Sequence, residues 1–328
     1  MGGVEFHARR VSLALNNTDV KTGFSTDFSV LTTASGSDGW DVVQTHGSAV
    51  DIAAILKHRF RSAQGRVPLH AHTLHGTSWE RIWFTRDFFY LGGWWAGFKE
   101  LIAALCCDVL LSGHPDTTFF RWVRALGKPA AAYQNGWDMP EKRSAPGVSS
   151  TVPTKKPYWV FIGRGDDPVK GAQLLLEASK DLGLDIVAVP GSGFENQPQI
   201  RSAGKLGAGE LTRLLEASRG LILPSLYEGY SIALVEALGL GLEVVATPVG
   251  AVPLIRERVQ GLHVAENVSS GALRAVLLTV KGPSVESRHT RASHNQKNLV
   301  SWADVAATGF AAVQGVMEKW KQREHLVS

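Results

Sequence analysis

The chain has 328 residues, 44% of them hydrophobic and 20% charged, with 34 glycines and a formal net charge of +4. This is about twice the length of an ordinary domain and enough apolar material for sizeable cores, which excludes disorder, collagen and a small disulfide scaffold. The mildly basic balance suits anionic partners such as nucleotides or a lipid surface, and no clustered basic stripe points to nucleic acid.

From the N-terminus, Met1-Gly2-Gly3-Val4-Glu5 has neither the basic stretch nor the apolar core of a signal peptide. The pattern predicts a helix over Val4–Leu15, with Val4, Ala8, Val11 and Leu15 on one face. Strands are expected at Phe28–Leu31, Val42–Thr45, Val67–Thr73, Val109–Leu111 and Ala130–Tyr133, with helices at Val50–Phe60 and Thr117–Leu126. Phe88 to Phe98 carries no charge but is about half of what a membrane-spanning helix needs. Cys106 and Cys107 are the only cysteines and are adjacent, so no long loop can be stapled and a cytoplasmic protein is expected. Met139 to Lys156 holds three prolines without an apolar period and reads as a linker.

Two features of this half call for chemistry. Seven of the 11 histidines lie in the first 114 residues. His70 and His72 share a strand face, but they lack cysteine partners and have few acidic neighbours, so no metal is expected. His75, at the C-terminal end of its strand, is the better functional candidate. His46, after the preceding strand, is a second, weighed against a structural role. Nine of the 28 aromatics fall between Trp79 and Phe98. Such a segment suits a membrane interface, a lipid carrier or stacked sugar rings, and equally the cap of a shortened core.

The second half alternates strand and helix more clearly. Strands are expected at Trp159–Ile162, Asp185–Val189, Gly220–Leu223 and Val244–Thr247, and helices at Ala172–Lys180, Glu210–Ser218, Ile232–Leu240 and Trp302–Lys321. That rhythm implies parallel strands with crossover helices. The fold class is α/β, with two Rossmann-like, doubly wound domains and a cleft between them. Two clusters follow strands, where such sheets hold ligands. Gly163-Arg164 through Lys170-Gly171 brings two cations and a helix start together, which suits a diphosphate or, more blandly, a solvated turn. Pro224-Ser225-Leu226-Tyr227-Glu228-Gly229-Tyr230-Ser231 leads into a helix carrying Glu236. Carboxylates at two depths can accept bonds from vicinal hydroxyls, while the amides of Gly229 to Ile232 can meet phosphate or sugar oxygens. The plainer reading makes Glu228 a charge near a helix start and Glu236 a face residue.

Glu228, seven residues and Glu236, after Pro224-Ser225 and the Gly163-Arg164 to Lys170-Gly171 turn, resemble the donor-binding half of retaining glycosyltransferases of family 4, with the GT-B fold (glycosyl transferases group 1). The likeness runs from Trp159 to Val264 through Val244-Val245-Ala246-Thr247, Val252-Pro253 and Gly261-Leu262-His263-Val264. More loosely, Gly2-Gly3-Val4-Glu5 resembles the family's glycine loop, His75-Gly76 its histidine, and Asn135-Gly136-Trp137-Asp138 the close of its first domain. The resemblance implies that Arg164 and Lys170 hold the donor diphosphate and that Glu236 binds the ribose. It also implies that Glu228, Gly163 and the backbone of Gly229, Tyr230, Ser231 and Ile232 grip the donor. His75 would contact the transferred sugar, with Gly2, Gly3 and His46 on the acceptor or phosphate side. A nucleotide diphosphate sugar is then the donor substrate, no metal or other cofactor is needed, and configuration is retained. Ser231 stands where the family commonly has glycine, Glu243 where it has proline, and no strand precedes the glycine loop.

The organisation expected is 1–145, a short acceptor-side domain whose first strand is missing; 156–300, the donor-binding domain; and 301–328, a C-terminal helix packing back on the first domain. Acceptors consistent with this reading are a glycan, a lipid-linked hydroxyl or a small molecule, with a peripheral membrane contact through 79–98 at the inner face of the membrane. Two alternatives stay open: a nucleotide-sugar epimerase of related fold, and a catalytically silent nucleotide-sugar-binding subunit.

Overall fold

The computed structural model describes residues 3–16, 20, 22, 40–48, 50–62, 68–114, 117–138, 157–280 and 285–327. The expected strand Phe28–Leu31, the linker 139–156 and Gly2 lie outside these residues. The chain divides into two compact units, Met1–Gly136 with Ser301–Ser328, and Trp137–Val300.

Unit 1 is built on four parallel strands in the order β1 (Val42–His46), β2 (Leu69–Leu74), β3 (Val109–Ser112) and β4 (Ala130–Ala132). The register pairs Val42 with Leu69, Ala71 with Val109 and Leu110 with Ala130. Because each strand neighbours the next in sequence, right-handed crossovers return every connecting helix to one face of the sheet. These helices are α2 (Ile52–Ser62), α3 (Ser78–Thr85), α4 (Leu91–Cys106) and α5 (Thr118–Ala125). Leu74 and Leu110 pack there with Ala104, Cys107, Phe120 and Val123, and Val43 packs near Ile55 and Ala103. Opposite them lie α1 (Gly3–Asn16) and α12 (Trp302–Val327). Phe6 meets Trp302 edge-on at 6.1 Å, and Gly309 leaves room for the Tyr133 ring, into which any Cβ would run. Sequence periodicity misses α3 and α4, because the aromatics of 79–98 obscure their helical repeat.

Unit 2 holds six parallel strands in the order β10-β9-β8-β5-β6-β7. In chain order they are β5 (Trp159–Gly163), β6 (Ile186–Pro190), β7 (Ile200–Ser202), β8 (Gly220–Leu223), β9 (Glu243–Ala246) and β10 (Leu262–Val264). The helices are α6 (Ala172–Ser179), α7 (Ala208–Ala217), α8 (Ile232–Gly239), α9 (Val252–Ile255), α10 (Ser270–Thr279) and α11 (Val285–Asn298). The period of two divides the core. Trp159, Phe161, Ile222 and Val245 face α6 and α10, whereas Val160, Leu221, Val244 and Ala246 face α7 and α8. The chain leaves β5 toward β6 on one side and later leaves β8 toward β9 on the other. The order therefore reverses between β5 and β8, and such a reversal opens a crevice at the strands' C-terminal ends.

Candidate functional site

Both sequence clusters of unit 2 sit at this reversal. After Gly163 the chain makes a tight turn whose Asp167 carboxylate accepts from the Val169 amide at 3.2 Å, opening the 3-10 turn Pro168–Lys170. Gly171 follows at φ +69, and a Cβ there would strike the Pro224 carbonyl. The two loops thus touch backbone to backbone, and the Leu226 amide donates to the Val169 carbonyl at 2.8 Å. The Lys170 stem crosses Gly163, where a Cβ would lie 2.9 Å from Lys170 Cγ. This path carries Lys170 Nζ to Glu228 Oε2 at 2.9 Å in a partly shielded ion pair.

Arg164 is 61% exposed and lies 3.8 Å from Asp166 and 3.7 Å from Asp167, carboxylates of its own turn. The structure therefore joins Lys170 to Glu228, with Arg164 on the rim. Ser231 caps α8, accepting from the Leu234 amide at 3.4 Å, and Ile232 begins the helix. Tyr230 is a core residue whose phenol is pushed up to about 12 by burial, so its backbone is what it offers a ligand. Gly229 is buried, and Glu236 is half-buried on α8 between Val235 and Ala237 of the core.

The loop after β9, which carries no charged side chain to mark it in the sequence, grips the Glu228 loop. Thr247 Oγ1 donates to the Ser225 carbonyl at 2.6 Å, and the Ala251 amide donates to the Gly229 carbonyl at 2.9 Å. Gly250, at φ +60, lies so close to the carbonyls of Glu228 and Gly229 that a Cβ would collide with both. The signal available was Thr247-Pro248-Val249-Gly250 directly after a strand. Glu243, at the opposite end of β9, is buried, accepts from His263 Nε2 at 2.6 Å and pairs with Arg291 at 3.2 Å. Those two partners explain a carboxylate at that position.

In unit 1, His75 lies just beyond β2, and its Nε2 is 3.0 Å from His46 Nδ1, the rings stacked at 18°. A third histidine completes the group. His7 on α1 is fully buried, hydrogen-bonded through Nδ1 to Asn135 Oδ1 at 2.6 Å, with its ring 4.7 Å from His75. Burial holds His7 down to about 4, and burial with the charges of His7 and His72 holds His46 to about 3. Burial and the neighbouring histidines likewise keep His75 well below its ordinary value. All three are neutral at pH 7, so between His46 and His75 one ring donates and the other accepts. The position of His7 between Val4 and Val11 at helical spacing was the signal for it. His70 and His72 stand apart, both bonded to the Thr45 hydroxyl at 2.8 Å. Gly3 opens α1. Among the described residues no group of three or more His, Cys, Asp or Glu could hold a metal ion.

Residues 156–280 match the family model described as glycosyl transferases group 1. Most of unit 2 is thus similar to a group 1 glycosyltransferase domain. Its Lys170–Glu228 pair and capped α8 fall inside the matched segment. The chain is also similar, at 27% identity over 206 residues, to a phosphatidyl-myo-inositol mannosyltransferase of Mycobacterium leprae. That match covers 57% of this chain and 54% of the mannosyltransferase, so the chain spans about half the length of its curated relative. The sucrose-phosphate synthase of Thermosynechococcus elongatus superposes over 100% of this chain and 95% of its own, with a TM-score of 0.63 and 12% identity. The group 1 domain and its companion unit thus share the GT-B fold.

Proposed function

We propose that the chain is a retaining glycosyltransferase that moves a sugar from a nucleotide diphosphate sugar to an acceptor hydroxyl. The observation that carries this reading is the Lys170–Glu228 pair at the reversal of the unit 2 sheet, beside the cationic rim residue Arg164. Lys170 and Arg164 hold the donor diphosphate and stabilise the charge that builds on it as the glycosidic bond breaks. Glu228 orients Lys170 and, with the amides of Gly229, Tyr230 and Ser231, grips the sugar. Glu236 binds the ribose hydroxyls. The acceptor oxygen attacks from the face the diphosphate leaves, the leaving phosphate takes its proton, and the configuration is kept without a protein nucleophile or metal. Neutral His75, backed by His46 and His7, hydrogen-bonds the transferred sugar, the role the family resemblance implies for it.

The acceptor is a glycan, a lipid-linked hydroxyl or a small molecule. The relative's name makes a mannosyl group and a lipid-borne inositol hydroxyl the first pair to try. Arg164→Ala and Lys170→Ala should each lower turnover by about 100-fold or more, as loss of one preorganised charge contact does. Near-normal turnover in both variants overturns the assignment. Incubation with donor alone separates the alternatives: slow hydrolysis fits a transferase, and a rearranged sugar nucleotide identifies an epimerase. Donor binding without turnover over an acceptor panel identifies a silent binding subunit.

A further inference from the structure

Among the described residues, 17 large hydrophobic side chains are exposed, and 14 of them lie between Leu56 and Leu126. All 14 belong to the helices and turns on one face of the unit 1 sheet. The hairpin of α3 and α4 is amphipathic in an inverted sense. The inward positions of α4 are small apart from Glu100, with Gly93, Gly97, Ala103 and Ala104 buried, while Leu91, Trp94, Trp95, Phe98 and Leu105 form an outward stripe at helical spacing. At Gly97 a Cβ would lie 2.6 Å from Trp79 Cε2, and at Gly93 3.1 Å from Ile82 Cδ1. Trp79 and Ile82 therefore take the interior places and leave no room for the rest. The hairpin is also tied: Trp79 Nε1 donates to the Gly97 carbonyl and Trp94 Nε1 to the Phe88 carbonyl, both at 2.9 Å. Phe89 at the tip is 96% exposed, Leu91 80% and Trp83 70%. Most of the aromatic segment is thus displayed outward and does not cap the core.

Cations surround the display. Lys57 on α2, Arg86 in the hairpin turn, and Arg121 and Arg124 on α5 are exposed, with Asp87 exposed beside Arg86 and Arg59 of α2 paired with Asp108 at 3.4 Å; neither α2 nor α5 carries an acidic residue. We infer that this face docks on the headgroup boundary of an anionic phospholipid bilayer, with Phe89 and its neighbours entering the interface. Trp and Tyr favour that boundary, and Lys and Arg gain from negative headgroups. Two copies set face to face would instead bring these cations against one another. Among the described residues no helix is long and apolar enough to cross a membrane, so the contact is a surface one.

Membrane docking belongs to unit 1 and donor binding to unit 2, so the two can fail separately. The full chain is floated with phosphatidylcholine vesicles and with vesicles carrying about 30 mol% phosphatidylglycerol. Retention is expected on the anionic vesicles and should weaken at about 300 mM salt. The pair Phe89→Ser with Trp95→Ser should bind at least about tenfold more weakly. Arg121→Ser and Arg124→Ser should each lose about fivefold. All variants should keep the wild-type melting temperature and nucleotide affinity, because these side chains are exposed. No retention on any vesicle, or equal retention by wild type and variants, overturns docking while leaving the donor reading intact. A dimer in sedimentation velocity, dissolved by the same substitutions and indifferent to lipid, overturns it in favour of a second copy.

Discussion

Glu100, 3% exposed on α4, accepts from the Ser78 amide at 2.7 Å and from its hydroxyl at 2.8 Å. Burial nonetheless raises its carboxyl to about 7, because two hydrogen bonds do not replace the lost water. The folded pKa exceeds the unfolded one, so the native state holds the extra proton between 4.5 and about 7. Its contribution to stability is full below 4.5 and lost as pH rises through about 7. Glu100→Gln should therefore gain on wild type between about pH 5 and 8, by up to about 3 kcal/mol. Urea unfolding at several pH values tests this, and a difference that does not change with pH would refute it. His7, His46 and His72 act with the opposite sign. Burial lowers their folded values to between about 3 and 4, so their contribution is lost as pH falls below 6.5.

At the scale of elements, the proposed donor loop around Glu228 is held from behind. Gly250 and Thr247 touch the backbone of the Glu228 loop, and Glu228 holds Lys170, so an error at Gly250 passes through two contacts to the proposed diphosphate position. Gly250→Ala adds a Cβ at a positive φ and against two carbonyls, which forces the loop to move. The donor KM should rise by about tenfold or more, since small misplacements at a site are costly. Steady-state kinetics beside a melting curve check this. An unchanged donor KM in a folded variant would show that the loop positions nothing. The placement of this element was legible in sequence: the clusters around Gly163, Arg164 and Lys170 and around Glu228 and Glu236 were expected after two strands, and they follow β5 and β8. The backbone contacts of Gly250 were not, because the strands that bring residues 228 and 250 together are paired only in the folded sheet.

For the whole molecule, a donor that binds only the folded state should raise its melting temperature. At 100 times its dissociation constant a nucleotide adds about 2.7 kcal/mol. Screening uridine, guanosine and adenosine diphosphates with their sugars by thermal shift should single out one base. No shift with any of them would count against a donor site. The same screen on Lys170→Ala should show a much smaller shift. Glu236→Ala is expected to behave likewise, if its place is the ribose.

The sequence by itself determined the parallel α/β class, the position of the two clusters after their strands and a surplus of aromatics in unit 1. Period and spacing are local quantities, and they survive in the linear text. Tertiary structure decided three things. It chose Glu228 as the partner of Lys170, 58 residues away. It gathered His7, His46 and His75 from a helix and two strand ends into one neutral group. It turned the aromatics of α3 and α4 other than Trp79 outward, because Trp79 and Ile82, seated over Gly97 and Gly93, already filled the inward face. Each depends on which residues pack against the same surface, and only the folded chain settles that.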